Sequence, residues 1–306
     1  MRVSVVVCEH SLDRYDDLRD AADSVLSQTY DDVELVLVAD GDNTVCERFY
    51  EDYGDRENVR IYCNDESVGL LESRNNGAEV AIGEVVAFLD DDAVADEEWV
   101  EKLVESYESH DVPAVGGKMT PAWVAGKPTF LPEEFYWLVG VTHRGFADGP
   151  GEVRNTFGSN ISFRRDVFLD LGGFETNIGG RQGDANLQGG ETELCARMKS
   201  KHGYGVYYNP EATVKHKVFG YRTDPLWLLD RAFWQGYSKR GMEILVPEST
   251  GTESDFLGDI LLKHAPRRLR TLVSDPSTDH LVQSIMLFVF IGMVGSGYLY
   301  GMTRWR

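Results

Sequence analysis

Apolar and polar positions alternate in a regular order through the first third of the chain. Val3–Val7 is a short β-branched run of the kind that forms a buried strand, and Tyr15–Gln28 follows with Leu18, Ala21, Ala22, Val25 and Leu26 at helical spacing. The same reading predicts strands at Val33–Ala39, Val59–Tyr62 and Val85–Leu89, and helices at Val45–Tyr53, Leu71–Ile82 and Glu97–Ser109. Strand and helix in strict alternation predict an α/β fold with a doubly wound, mostly parallel sheet, because parallel strands need helical crossovers. Ligands of such sheets bind beyond the carboxyl ends of the strands. Two acidic clusters fall at those ends, Asp40-Gly41-Asp42 and Asp90-Asp91-Asp92.

From about Val115 the alternation loosens. A stretch rich in Trp, Phe and Pro runs through Trp123, Phe130, Phe135, Tyr136 and Trp137. It leads to a short strand (Asn160–Phe163), a helix (Arg165–Leu171), a glycine-rich loop (Gly179–Gly190), a helix (Glu191–His202) and strands near Gly205–Tyr208 and Thr213–Lys217. Beyond Phe219 the pattern is helical. Leu281–Met302 carries no charged side chain, and about 20 apolar residues suffice to cross a bilayer. This predicts a membrane-embedded helix, with an interfacial or buried core helix as the alternative. Lys263, Arg267, Arg268 and Arg270 precede it, a basic cluster suited to anionic headgroups. Gly297 and Gly301 form a G-x-x-x-G pair of the kind that packs helices, and Trp227, Trp234 and Tyr237 suit a membrane interface.

With 306 residues, 42 % of them hydrophobic, the chain can bury one large α/β domain and a smaller appendage. Its net charge of −21 excludes nucleic acid polymers as electrostatic partners. The acid is dispersed, which reads as adaptation to high salt, where screening removes self-repulsion, or as an acidic cytosolic protein. Cys8, Cys46, Cys63 and Cys195 form no C-x-x-C pair and are expected as buried free thiols of a reducing compartment.

Three carboxylates at one strand end repel one another unless a cation neutralises them. Oxygen ligands of this kind suit Mg²⁺ or Mn²⁺ carrying a diphosphate; an acidic turn capping the next helix is the plainer alternative. Val94 and Ala95 exclude a calcium-binding EF-hand loop. No P-loop, no G-x-G-x-x-G after the first strand and no H-E-x-x-H occurs.

Several strings taken in order carry a resemblance. They are Ser24-Val-Leu-Ser-Gln28-Thr-Tyr30, Val36-Leu-Val-Ala-Asp40-Gly41, Val68-Gly69 with Arg74-Asn75 and Gly77, and Gly83-Glu84 through Asp90-Asp91-Asp92. Gly158-Ser-Asn160-Ile-Ser-Phe-Arg164, Gly172-Gly173-Phe174, Gly190-Glu191-Thr-Glu193-Leu194 and Asn209-Pro210 with Val214-Lys-His216 continue the series. Over roughly residues 3–217 the chain resembles the family 2 glycosyltransferases of GT-A fold. With its terminal apolar helix and acidic surface it is similar to the haloarchaeal members that extend a lipid-linked glycan for protein N-glycosylation.

The resemblance implies a division into a nucleotide-sugar-binding half (1–118), an acceptor-binding half (119–218) and a helical C-terminal region (219–306) with the apolar helix at 281–302. It implies transfer from a nucleotide-diphosphate sugar to a dolichol-phosphate-type acceptor at the cytoplasmic face of the cell membrane. Asp40 is then expected on the nucleotide base, uracil by the family pattern, and Arg74 near the diphosphate. Asp90 approaches the ribose or the metal, and Asp91 completes the nucleotide-sugar set. Asp92 is the direct metal ligand and His216 completes the metal shell. Glu191 stands where the family's general base stands; Glu193 is the alternative, and Glu191 is preferred because it opens the helix facing the sheet edge. Asn160, Glu193 and Trp137 are the acceptor-side candidates. A single base with no carboxylate nucleophile implies single displacement and inversion. The chain departs from the family at Cys8-Glu9-His10, where members often carry Pro-x-Tyr-Asn.

Three other readings stay open: a glycosyltransferase of another surface polysaccharide or glycolipid, a sugar nucleotidyltransferase, and a non-catalytic membrane scaffold. The second lacks its glycine-rich, basic loop after the first strand, and the third conflicts with retention of both the acidic triplet and Glu191.

Overall fold

A computed structural model of the chain describes residues 1–178, 180–182, 185–247 and 258–305. It divides into two compact units. The first comprises residues 1–121, 149–177 and 190–217 and holds the sheet. Its opening alternation is β1 (Val3–Glu9), α1 (Tyr15–Leu26), β2 (Val33–Asp40), α2 (Asn43–Tyr53), β3 (Val59–Asn64), α3 (Leu70–Val80) and β4 (Val85–Leu89). The chain continues with β5 (Ala93–Ala95), α4 (Trp99–Ser109), β6 (Ala114–Trp123), β7 (Gly151–Val153), β8 (Ile161–Arg164) and α5 (Arg165–Asp170). After a hairpin described below come α6 (Gly190–His202) and β11 (Val206–Val218). Strand order is β3-β2-β1-β4-β8-β6-β11-β5, with β7 also paired to β11. The first four strands are mutually parallel, and β8 turns the sheet antiparallel against β4 and β6.

β1, β2 and β4 are buried almost throughout, as expected for strands covered on both faces. On one face Val5, Leu35, Leu37 and Val85 pack against Leu18, Ala22, Phe49, Trp99 and Leu103 of α1, α2 and α4. On the other, Val6, Val36 and Phe88 pack against Ala78 of α3 and against Phe163, Phe168 and Phe174. The β6 strand and the single long β11 depart from the sequence reading, which loosened at Val115 and split the later strand in two. Asn209-Pro210 resembles a turn, yet the strand runs through it.

The cysteine expectation is half corrected. Cys46 of α2 and Cys63 of β3 form a disulfide, while Cys8 and Cys195 are free thiols. The β2–α2–β3 crossover returns the chain beside its own helix, which brings two cysteines 17 residues apart to 5.9 Å between Cα atoms.

The second unit comprises residues 122–148, 178–189 and 218–306. The loop expected over 179–190 contains an antiparallel hairpin, β9 (Gly180–Gln182) with β10 (Ala185–Leu187); residues 179, 183 and 184 lie outside the described set. The helices are α7 (Pro225–Leu245), α8 (Ala265–Ser274) and α9 (Thr278–Arg304). Asp224 caps α7, its carboxylate accepting from the amides of Leu226 and Trp227, with Pro225 in the first turn. α7 and α9 lie so close that a Cβ on Gly236 would stand 2.8 Å from the amide nitrogen of Tyr298, and one on Gly297 would stand 2.7 Å from the carbonyl carbon of Phe233. The G-x-x-x-G pair therefore packs α9 onto the same chain. Phe233, Tyr237, Tyr300 and Trp305 interlock around that seam. Leu287 and Phe290 of α9 are fully buried with Phe135, Leu138 and Leu228, whereas Leu281, Ile285, Phe288 and Leu299 are exposed. α9 is long and apolar enough to cross a membrane. Of the basic cluster before it, Arg268 turns inward onto the buried Glu134 and Lys263 pairs with Asp259.

Candidate active site

The acidic triplet leaves β4 at the carboxyl edge of the sheet and runs straight into β5. The amide of Asp90 donates to Ser159 Oγ (2.9 Å), and the carbonyl of Asp92 accepts from the amide of Lys217 (2.8 Å). Pairing of β5 with β11 sets His216 opposite Ala93, so His216 Nε2 lies 3.3 Å from Asp92 Oδ1 with both side chains buried. The Ser24–Gln28 string works from behind. Ser24 Oγ accepts from the amide of Ala95 (3.0 Å), and Gln28 bonds both the carbonyl of Asp96 and the amide of Val100 (2.8 Å each). These residues bracket the segment after the triplet and do not face the site.

Arg14 supplies a cation here that the sequence reading did not assign. Its guanidinium stands 2.9 Å from Asp91 Oδ2 and 3.4 Å from Asp92 Oδ2. Burial, then Asp92 and Glu9 close by, pushes the Asp91 carboxyl up to about 7, with Arg14 acting in opposition. A set of carboxylates this crowded is short of positive charge, and the neighbouring Asp92 oxygen and His216 imidazole suit Mn²⁺ or Mg²⁺ in donor type. Among the described residues no group of three such side chains converges on one point. The remaining ligands of an ion at Asp92 would have to come from a diphosphate.

Arg74 ties the triplet to the far half of the sheet unit. It is 2 % exposed, and its guanidinium rests over the rings of Phe88 (5.7 Å) and Phe174 (5.8 Å). One nitrogen donates to Asp90 Oδ1 at 2.6 Å and another to Glu191 Oε1 at 3.1 Å. Two sequence-predicted site residues are thus held on one rigid cation. Gly158 makes the pairing possible, because a Cβ there would fall 2.8 Å from Arg74 Nη1 and 2.9 Å from Glu191 Cδ. Glu193 faces away, locked by Arg197 through bonds of 2.7 and 2.6 Å one helical turn on.

A cavity of about 280 Å³ opens at the carboxyl ends of β1 and β2, lined by Cys8, Glu9, His10, Asp40, Ser67, Gly69, Leu70 and Ser73. Asp40 stands in its wall, but its oxygens accept four internal bonds, from the amides of Val68 and Gly69, from Asn64 and from Ser67. Burial works to raise this carboxyl, and those bonds outweigh it and hold it below its ordinary value. The bonds fasten the 67–69 loop; Gly41, at φ 75°, turns the chain tightly enough for the loop to approach. The unsatisfied acceptor in the cavity belongs to Glu9. It is 3 % exposed, Oε1 takes the amides of His10 and Ser11, and Oε2 is buried with no hydrogen-bond partner among the described residues. Its position at the end of β1 was legible; its burial was not.

Residues 4–172 match the sequence profile of glycosyl transferase family 2. The chain belongs to that family. It is 50 % identical over 303 residues to the glucosyl-dolichyl phosphate glucuronosyltransferase of Haloferax volcanii, covering 99 % of this chain and 96 % of the relative. Among solved structures it resembles the mannosyltransferase PcManGT of Pyrobaculum calidifontis in complex with GDP-Man and Mn²⁺, at TM-score 0.59 and 16 % identity over 100 % of this chain and 88 % of that one. It also resembles S. aureus TarS 1–349 in complex with UDP-GlcNAc, at TM-score 0.55 and 17 % identity over 96 % and 82 %. These likenesses settle the fold as GT-A, and the chain is a glycosyltransferase. The family residues meet in the first unit: Asp40, Arg74, Asp90, Asp91, Asp92, Glu191 and His216. Of the acceptor-side candidates, Glu193 is held by Arg197. Asn160 is fully buried, its carboxamide bonded to Trp99 Nε1 and to the carbonyls of Lys118 and Ala212. Trp137 belongs to the second unit, against Phe135 and Lys239.

Proposed function

We propose that this enzyme moves a glucuronosyl or closely related sugar from a nucleotide diphosphate onto a saccharide carried by a polyprenyl phosphate, at the cytoplasmic face of the cell membrane. The reading includes a uridine donor, a place in cell-surface N-glycan assembly and inversion at the anomeric carbon. It keeps the donor side in 1–118, the acceptor side in 119–218 and membrane attachment through α9. The observation that carries the chemistry is the Arg74 clamp holding Glu191 to Asp90 beside the acidic triplet. The end-to-end likeness to a glucosyl-dolichyl phosphate glucuronosyltransferase supports the substrate class.

In the proposed step the acceptor hydroxyl attacks the anomeric carbon and Glu191 accepts its proton. The bond from that carbon to the diphosphate oxygen breaks, and the leaving diphosphate keeps the electron pair. Asp92 and His216 would hold a divalent ion, which when bound would stabilise the charge on that leaving group. Glu9 and the Asp40-fastened loop line the pocket for the base, Glu9 Oε2 being placed to accept an imide N–H. Arg74 holds Glu191 in a fixed direction, which removes the cost of orienting it during the reaction.

The test is transfer from a panel of nucleotide sugars, UDP-glucuronate included, to a synthetic glucosyl polyprenyl phosphate, with and without EDTA. Product of inverted anomeric configuration that forms only with the divalent ion is expected. Donor turnover unaffected by EDTA, or by Asp92→Ala and Glu191→Gln together, would end the reading.

A further inference from the structure

The second unit holds an arginine with no acid paired to it among the described residues. Arg231 lies on α7, one turn beyond Trp227. Its Nε is shut away from solvent and has no hydrogen-bond partner among the described residues. Among the described residues no carboxylate lies within ion-pair distance of its guanidinium. Other arginines shielded from water are paired: the buried Arg74 faces Asp90 and Glu191, and the half-buried Arg268 faces Glu134. In a chain of net charge −21 there is no shortage of acid to pair with.

The groups around Arg231 also point to an anion. Arg222 and Tyr221 are near enough to act on it electrostatically, the Arg222 guanidinium lying 5.6 Å over the Tyr221 ring and its Nε 2.9 Å from the Tyr221 hydroxyl. The Tyr221 ring meets Trp227 edge-on at 5.8 Å. Leu226, at the start of the same helix, is 76 % exposed. Burial, and then the like charge of Arg222, brings the Arg231 pKa down to about 10. A guanidinium removed from water beside a second one is costly unless an anion offsets it, and its planar fork matches two non-bridging phosphate oxygens.

We infer that Arg231, with Arg222 and Tyr221 beside it, is a binding site for a phosphodiester, that of the polyprenyl-linked acceptor. The exposed Leu226 gives the adjoining prenyl chain an apolar surface to follow. This rests on the proposed acceptor class, and the site is a binding site, with no part in the chemical step. A phospholipid headgroup carries the same phosphodiester, so the two sources have to be told apart.

The full-length enzyme is assayed with two acceptors, a glucosyl ester of a short soluble prenyl phosphate and an alkyl glucoside without phosphate. For Arg231→Gln the KM of the phosphorylated acceptor should rise at least tenfold, with donor KM and alkyl glucoside turnover unchanged. Arg231→Lys should recover part of the loss. Apo melting temperature should stay level or rise, because an unpaired buried charge has been removed. Equal losses on both acceptors, or a lowered apo melting temperature, would mark a structural residue and overturn the site. Loss of binding to phosphatidylglycerol vesicles with an unchanged KM for the soluble acceptor would assign Arg231 to bulk lipid and overturn it too. Binding is read separately through the thermal shift given by methyl geranyl phosphate. A shift present in the wild type and absent in Arg231→Gln supports the site even if no transfer to the phosphorylated acceptor occurs, which would instead count against the acceptor reading. Equal shifts in both proteins reject the site.

Discussion

Replacing Gly158 by alanine perturbs the clamp without touching either of its charged members. The added Cβ would stand 2.9 Å from Glu191 Cδ and 2.8 Å from Arg74 Nη1. Glu191 Oε1 lies closer still to that Cβ, and carbon atoms in contact settle at about 3.5–4.0 Å, so the Glu191 carboxyl has to retreat by roughly 1 Å or more. Arg74 cannot yield instead, being wedged over Phe88 and Phe174 and bonded to Asp90. A displacement of about 1 Å in a catalytic group costs on the order of 100-fold in rate, or about 2.7 kcal/mol of barrier. The expected result is a kcat lowered about 100-fold, a donor KM within about threefold of wild type, and a melting temperature little changed. Steady-state kinetics on purified Gly158→Ala, with donor binding followed by thermal shift, provides the check. A variant with wild-type kcat would mean that the position of Glu191 does not govern transfer, and the base assignment would fall with it. A variant that loses donor binding and kcat together would show instead that the clamp serves the nucleotide.

Four further outcomes are expected. Reducing the Cys46–Cys63 bridge, or Cys46→Ser, should cost about 3 kcal/mol for a loop of this length, read as a lowered melting temperature with and without dithiothreitol. His143 is held down to about 4 by burial, then by the positive neighbours His264 and Lys239. A depressed base makes the folded state bind fewer protons than the unfolded one between about pH 4 and 6.5, so its stability contribution is full above 6.5 and lost as pH falls towards 4. His143→Phe should therefore flatten the melting temperature over that window by the equivalent of up to about 3 kcal/mol, and an unchanged slope would refute it. Glu9→Gln should weaken binding of UDP without altering the ratio of transfer with and without EDTA, measured by calorimetry and product assay. Gly297→Leu should separate α7 from α9 and lower the yield of folded protein, whereas Gly292→Leu, where a Cβ meets nothing within 4 Å, should be tolerated.

The parts of the fold visible in the sequence were those in which one side chain type repeats. The apolar runs of β1, β2 and β4 fixed the parallel block, and the acid clusters marked its carboxyl edge. The later strands were obscured for identifiable reasons. β6 mixes glycine, lysine, threonine and proline, which scrambles the period of two. β11 carries an Asn-Pro pair that normally signals a turn. In the site, residue type gave the candidates but not their use. Glu191 and Glu193 could be ranked only by position, and the Arg197 that pairs with Glu193 sat in plain view at the i,i+4 spacing. Neither the saturation of Asp40 by its neighbouring loop nor the bare oxygen of Glu9 has any trace in local sequence, because both depend on which segments the sheet brings together. The disulfide was hidden for the same reason.

The burial of Leu287 and Phe290 among the side chains of 131–141 and α7 has a practical side for anyone preparing the enzyme. Trimming the chain before Thr278 in the hope of a water-soluble catalytic fragment would peel away half of a two-helix seam and leave Phe135, Leu228 and the Gly236 face of α7 bare. Such a fragment should precipitate or seek detergent more avidly than the intact protein. Solubilisation is better sought by shielding the outward row of Leu281, Ile285 and Phe288, with α9 left in place.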